Sequence, residues 1–148
     1  MILARDFQIY LDWIYTSQIQ LECEDARQKQ DNYVAIYTLG DMLGDYQLRN
    51  AVIERLIENL LFAAAPPSIE LFKQVYQSTS VGSPLRRYLV DSTIFKGSRR
   101  TLSGNMAKFP AEFAQELAVA LLNQTPVVSR KDIVKILRGS IKLETGDA

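Results

Sequence analysis

The chain has 148 residues, 47% of them apolar, and 17 Lys/Arg against 17 Asp/Glu for a net charge of zero, which fits one ordinary domain with a real core and argues against intrinsic disorder. It contains no histidine and one cysteine, so an intramolecular disulfide, a His proton shuttle and a His/Cys metal set are excluded, leaving carboxylates as the only titratable ligands. Asp6 and Asp12 interrupt the apolar N-terminal residues and no apolar run reaches the roughly 18 residues of a membrane span, so the expectation is no signal peptide, no membrane and a reducing intracellular setting, nucleus or cytoplasm.

A first helix is predicted over Asp6–Tyr15, with Phe7, Tyr10, Leu11 and Ile14 on its inner side and Asp6 as its cap. Trp13 lies off that stripe; either it packs on a neighbouring helix, the favoured reading, or it lies on a surface that a partner covers. QIQLE (18–22) alternates apolar and polar like a very short strand, and without a pairing partner reads as extended loop. The polar run 22–31 is a solvated connection, with partial helix as an alternative, ending at Asp31, which can cap the helix that follows. In that helix Tyr33, Ile36, Tyr37, Gly40 and Leu43 form one face; Gly40 costs roughly 1 kcal/mol against Ala in mid-helix, which implies a close approach by another element. Gly44 suits a C-terminal cap and Asp45 an N-terminal one, after which Leu48, Val52, Leu56 and Leu60 make a second stripe. These two runs form a helical hairpin.

Pro66 and Pro67 mark the clearest boundary, and Ser68 starts a helix whose apolar side is Ile69, Phe72, Val75 and Tyr76. Ser83-Pro84 has the cap-then-proline order of another start, with Leu85, Tyr88, Leu89, Ser92 and Phe95 at helical spacing. Residues 96–108 have no apolar period and read as a surface loop. Pro110 opens the next helix, with Phe113, Leu117 and Leu121 inward, and a last one follows Ser129 through Leu137 to Gly139. The sum is about seven helices and almost no sheet.

The blocks FQIYLDWIYTSQI (7–19), YxxxYxLGDxLGD in the central hairpin, GSPLRRYLVD (82–91) and FPAEFAQELAVALL (109–122) occur in an order that resembles fungal BTB/POZ-domain proteins. The resemblance covers residues 7–122. It implies an all-α multi-helix bundle corresponding to the C-terminal half of a BTB/POZ domain, residues 1–65, with a helical extension, residues 66–148, packed on it as one globular unit. The strand-rich front of such a domain is absent from the sequence. By the resemblance, the function is that of a non-catalytic adaptor or scaffold; its partners are proteins, through self-association or a cullin-type ubiquitin ligase, and no cofactor or small-molecule substrate is implied. Part of the Phe7–Tyr15 surface is then expected to lie uncovered, with Trp13 its anchor.

The chemistry agrees with that reading. Cys23 stands between Glu22 and Glu24, whose charge disfavours a thiolate, and the i, i+4 acids Glu54/Glu58 and Glu112/Glu116 read as solvated helix faces. Neither Gly-rich stretch, 40–44 or 97–104, ends in the lysine of a phosphate loop. No catalytic, cofactor or metal residue is therefore assigned.

Charge is unevenly spread. Residues 1–80 carry 6 Lys/Arg and 11 Asp/Glu, and residues 81–148 carry 11 and 6; the favoured consequence is that the halves hold each other, the other that they steer a charged partner. Arg86 and Arg87 fall in a helix's first turn, where the macrodipole disfavours cations. Ion pairing with Asp91 or the acidic N-terminal half would compensate; the sharper alternative is a surface for an acidic partner. With Lys96, Arg99, Arg100 and Lys108 they make 86–108 basic, which supports a second function class, nucleic-acid-linked regulation, although no aromatic residues interleave for stacking. Arg99 and Arg100 also precede Ser103 at basophilic-kinase spacing, marking Ser103 as a phosphorylation candidate.

Overall fold

Helix-period runs in the sequence become helices almost one for one. The computed structural model describes residues 3–62, 67–96, 102 and 104–124. Among these are six α-helices and no strand: α1 (Ala4–Thr16), α2 (Ala26–Leu43), α3 (Tyr46–Phe62), α4 (Ile69–Ser78), α5 (Pro84–Lys96) and α6 (Ala111–Gln124), with a 3-10 turn at Met106–Lys108. The fold class is all-α, as expected. The helix predicted over 129–139 lies outside the described residues.

The α2–α3 hairpin is the centre of the bundle and its turn is built locally. Gly44 takes the left-handed conformation, φ +69°, its N–H donates to Asp41 O, and Asp45 N–H donates back to Gly40 O at 2.9 Å, so the last carbonyls of α2 are satisfied. Asp45 then accepts Leu48 N–H at 3.0 Å and starts α3. The close approach expected at Gly40 is present: a Cβ there would lie 3.3 Å from Leu48 Cδ2 and from Arg49 Cγ, and 3.5 Å from the Asp45 carbonyl.

Ile36 of α2, Leu48, Val52 and Leu56 of α3, Val75 of α4, and Leu85 and Leu89 of α5 are completely enclosed. Burying a Leu, Ile or Val side chain is worth about 1.5–3 kcal/mol each, so this cluster is the main stabilising element. Tyr88 joins it, donating its hydroxyl to Leu56 O at 3.3 Å. Caps set the outer elements as the sequence indicates: Ser68 Oγ accepts Leu71 N–H at 3.2 Å, and Ser83 Oγ accepts Leu85 N–H at 3.3 Å ahead of Pro84. The side chains of Leu60 and Phe95 lie outside what is described.

Four details differ from the sequence reading. Helix α2 begins at Ala26, with Asp25 accepting Arg27 N–H at 3.0 Å as its cap, and Asp31 lies inside it; the first turns are polar and so carry no apolar period, yet Gln30 and Asn32 are buried. Asp6 is not the cap of α1 but sits in its first turn, buried, accepting Leu3 N–H at 3.1 Å. The buried side of α1 is Asp6 and Ile9, with Trp13 half-buried, while the predicted inner residues Phe7 and Ile14 face out. Leu43 and Leu121 also lie at the surface. Residues 18–22 are irregular, in agreement with the extended-loop reading, and Ile19 is buried there.

Met1–Ala118 is one compact unit and Val119–Ala148 a second. Within the first unit α4 packs on α2, and α5 on α3 and α4. Helices after residue 66 thus share a core with the hairpin before it.

Candidate functional site

Two features stand apart from ordinary core and surface: the outward side of α1 and a charged network joining α4, α5 and α6.

The rotation of α1 is set by polar contacts as much as by packing. Arg5 Nη2 donates to Asn32 Oδ1 of α2 at 2.8 Å and to Asp6 Oδ1 at 3.3 Å, and Trp13 Nε1 donates to Asp45 Oδ2, in the α2–α3 turn, at 3.2 Å. One helix can present only one side to one neighbour, and these bonds turn the Asp6–Ile9–Trp13 side inward. The apolar stripe is left in solvent: Phe7 is 49% exposed, Ile14 54% and Tyr15 86%, with Leu3 half-exposed at the same helix's start. Part of the Phe7–Tyr15 surface is uncovered, as expected, but Trp13 is engaged with Asp45, and the residues left exposed are Phe7, Ile14 and Tyr15. A continuous exposed stripe of this kind marks a contact surface more often than isolated exposed apolar residues do.

The second feature is Arg86. Its side chain is 5% exposed, whereas that of neighbouring Arg87 is 85% exposed. The Arg86 guanidinium donates to Tyr76 O (3.0 Å), Thr79 O (2.6 Å) and Thr79 Oγ1 (3.0 Å), closing the C-terminal end of α4. It also pairs with Glu112 (2.6 Å) and Glu116 (3.5 Å) of α6 and lies over the Tyr76 ring, 4.5 Å from its centre. Tyr76 in turn donates its hydroxyl to Glu116 at 2.5 Å, and burial together with that carboxylate pushes the phenol far above its usual range. Beneath the network Phe72, Tyr76, Phe109 and Phe113 pack edge to face or tilted, with ring centres 4.7–5.9 Å apart.

This bears on three expectations. Arg86 is an internal clamp, not a contact for a partner. Its compensating acids are Glu112 and Glu116, expected to be solvated, and they come from the basic half of the chain; the six ion pairs among the described residues each join residues of the same half. Among the described residues no ion pair joins residues 1–80 to residues 81–148. Among the described residues Arg87 pairs with Asp91 alone, at 3.8 Å in solvent, as the i, i+4 spacing allows. Arg99, Arg100 and Ser103 lie outside the described residues, as does the Lys96 side chain.

An open groove of about 760 Å³ runs beside the network, between Ile69, Lys73 and Tyr76 of α4 and Lys108, Phe109 and Glu112. Its charges balance and its polar groups do not converge on a point, so it selects no ligand chemistry. Cys23 is half-buried, with Gln28 Oε1 at 3.2 Å and Asp25 O at 3.6 Å. Among the described residues no three His, Cys, Asp or Glu converge as a metal would need, and no helix is long and apolar enough to cross a membrane.

No family model matches the chain, and neither a curated protein nor a solved structure is similar to it.

Proposed function

We propose that this chain is a non-catalytic protein–protein interaction module, an adaptor or scaffold piece working inside the cell, whose helices resemble the C-terminal part of a fungal BTB/POZ domain with its helical extension. The observation that carries the reading is the outward stripe of α1, Phe7, Ile14 and Tyr15, left in solvent by a helix whose polar contacts fix its rotation. Its partner is a protein bringing an apolar surface; by the resemblance, a second copy or a component of a cullin-type ubiquitin ligase. The competing reading, a nucleic-acid-linked role for 86–108, loses Arg86 to the interior.

Tagged protein is isolated from its native cells, wild type against Ile14→Asp with Tyr15→Ser, at low and high salt. Both positions are at the surface, so the variant folds, as circular dichroism will verify. Proteins held by the α1 stripe stay bound to wild type at high salt and are lost from the variant; nucleic acid bound through phosphates would instead come off steeply as salt rises. If the variant retains every protein that wild type retains, the reading is wrong.

A further inference from the structure

The segment joining α4 to α5 is a tight turn. Ser83 N–H donates to Ser80 O at 3.1 Å, and Gly82 holds φ +85°, a conformation that suits the third position of such a turn. Ser80 and Val81 stand in solvent at its tip. Just behind the tip, half-exposed Ser83 uses one lone pair of its Oγ for Leu85 N–H, and its hydroxyl proton is given to no described residue. Pro84 follows directly, then basic residues three and four positions on, of which Arg87 remains in water. A serine directly before proline is the minimal pattern that proline-directed kinases select; Arg86, the basic residue three positions on, is buried and adds nothing to it.

Arg87 supplies a second, independent observation. It occupies the first turn of α5, where the macrodipole disfavours a cation. Arg86 has the same position and is compensated by two carboxylates and two carbonyls; Arg87, among the described residues, has one solvated ion pair, with Asp91 at 3.8 Å.

We propose that Ser83 is a phosphorylation site for a proline-directed Ser/Thr kinase, and that the phosphoserine is the charge partner of Arg87. In the step, Ser83 Oγ attacks the γ-phosphorus of ATP; the new O–P bond forms as the bond to ADP breaks, and the serine proton leaves to the kinase's base. The product carries close to two negative charges and three strong acceptor oxygens at the start of α5. The helix dipole favours an anion there, and Arg87, four residues on, lies on the same side of the helix. Modification thereby firms the start of α5 and adds negative charge beside Arg87. This inference stands whether or not the α1 stripe binds a protein.

Purified, folded wild type is incubated with a mitogen-activated-type kinase, which reads the proline alone, and ATP, and incorporation is read by intact and tandem mass spectrometry. One phosphate is expected at Ser83, absent in Ser83→Ala. Because that substitution also removes a helix cap, Pro84→Ala is the second variant: it keeps the cap and should slow incorporation at least about tenfold by removing the residue the kinase reads. The modified protein should melt about 2–5 °C higher than the unmodified one, and Arg87→Ala should lose most of that shift. No phosphate at Ser83, modification only after denaturation, or equal rates for Pro84→Ala and wild type would each overturn the site. A melting shift that is absent, downward or unchanged in Arg87→Ala would overturn the pairing.

Discussion

Replacing Arg86 with Ala should destabilise the protein by roughly 3 kcal/mol, and the structure indicates where that loss arises. The guanidinium bonds two carbonyls at the end of α4, one hydroxyl and two carboxylates, and it covers a tyrosine ring. The carboxylates contribute least: Glu112 and Glu116 are 59% and 30% exposed, so water replaces most of what Arg86 supplies. The Tyr76 carbonyl is buried, and leaving such an acceptor unpaired costs about 1–3 kcal/mol. Lost contact with the Tyr76 ring adds about 0.5–2 kcal/mol. The sum sits at the low edge of the ~3–5 kcal/mol seen when one partner of a buried ion pair is removed, and for a chain of this size it lowers the melting temperature by about 6–12 °C. Glu112→Gln should cost under about 1 kcal/mol. Arg86→Lys should recover only part of the loss, because a single ammonium cannot reach both α4 carbonyls and the α6 acids. Urea and thermal melts followed by circular dichroism measure all three. The reasoning fails if Arg86→Ala melts within about 2 °C of wild type, or if Glu112→Gln costs as much as Arg86→Ala.

Leu56→Ala should cost about 2–5 kcal/mol, since the side chain is completely enclosed between α3 and its neighbours, and a loss below about 1 kcal/mol in denaturant melts would contradict that burial. Alkaline pH should unfold the protein through its tyrosines. Burial raises Tyr88 from its ordinary value of 10.0 to about 12 and raises Tyr33 and Tyr76 as well. A phenol whose folded value is raised contributes stability that is fully present below the unfolded value and is lost as pH climbs from about 10 through about 12. Tyrosinate absorbance and helix content should therefore change together over that interval in wild type, and Tyr88→Phe, which cannot ionise, should shift the transition upward; ionisation of every tyrosine near pH 10 with the helices intact would refute the assignment.

Much of the bundle was legible because its signals are local. A cap acts within three or four residues, so Gly44, Asp45, Ser68 and the Ser83-Pro84 pair reveal themselves in sequence, and each makes the backbone bond that its position implies. Apolar spacing likewise identified Ile36, Val52, Leu56, Val75 and Leu89 as core. The start of α2 was not legible, because a polar helix turn has no apolar period and its cap, Asp25, is one of several acids in a row.

Composition, periodicity and capping determined that this chain is a set of helices joined by short turns, because those properties depend on neighbours in sequence. Tertiary structure alone decided which side of α1 faces inward and what becomes of Arg86. Periodicity finds an apolar stripe but cannot tell whether anything is there to cover it; hydrogen bonds from Arg5 to Asn32 and from Trp13 to Asp45, 27 and 32 residues away, turned that stripe outward. The partners of Arg86 include Glu112 and Glu116, 26 and 30 residues on, and its burial follows from the docking of α6, through Phe113, against the end of α4. A basic pair reads the same in sequence whether both members lie in water or one closes a helix end, since the difference is made by residues that only the folded chain brings together.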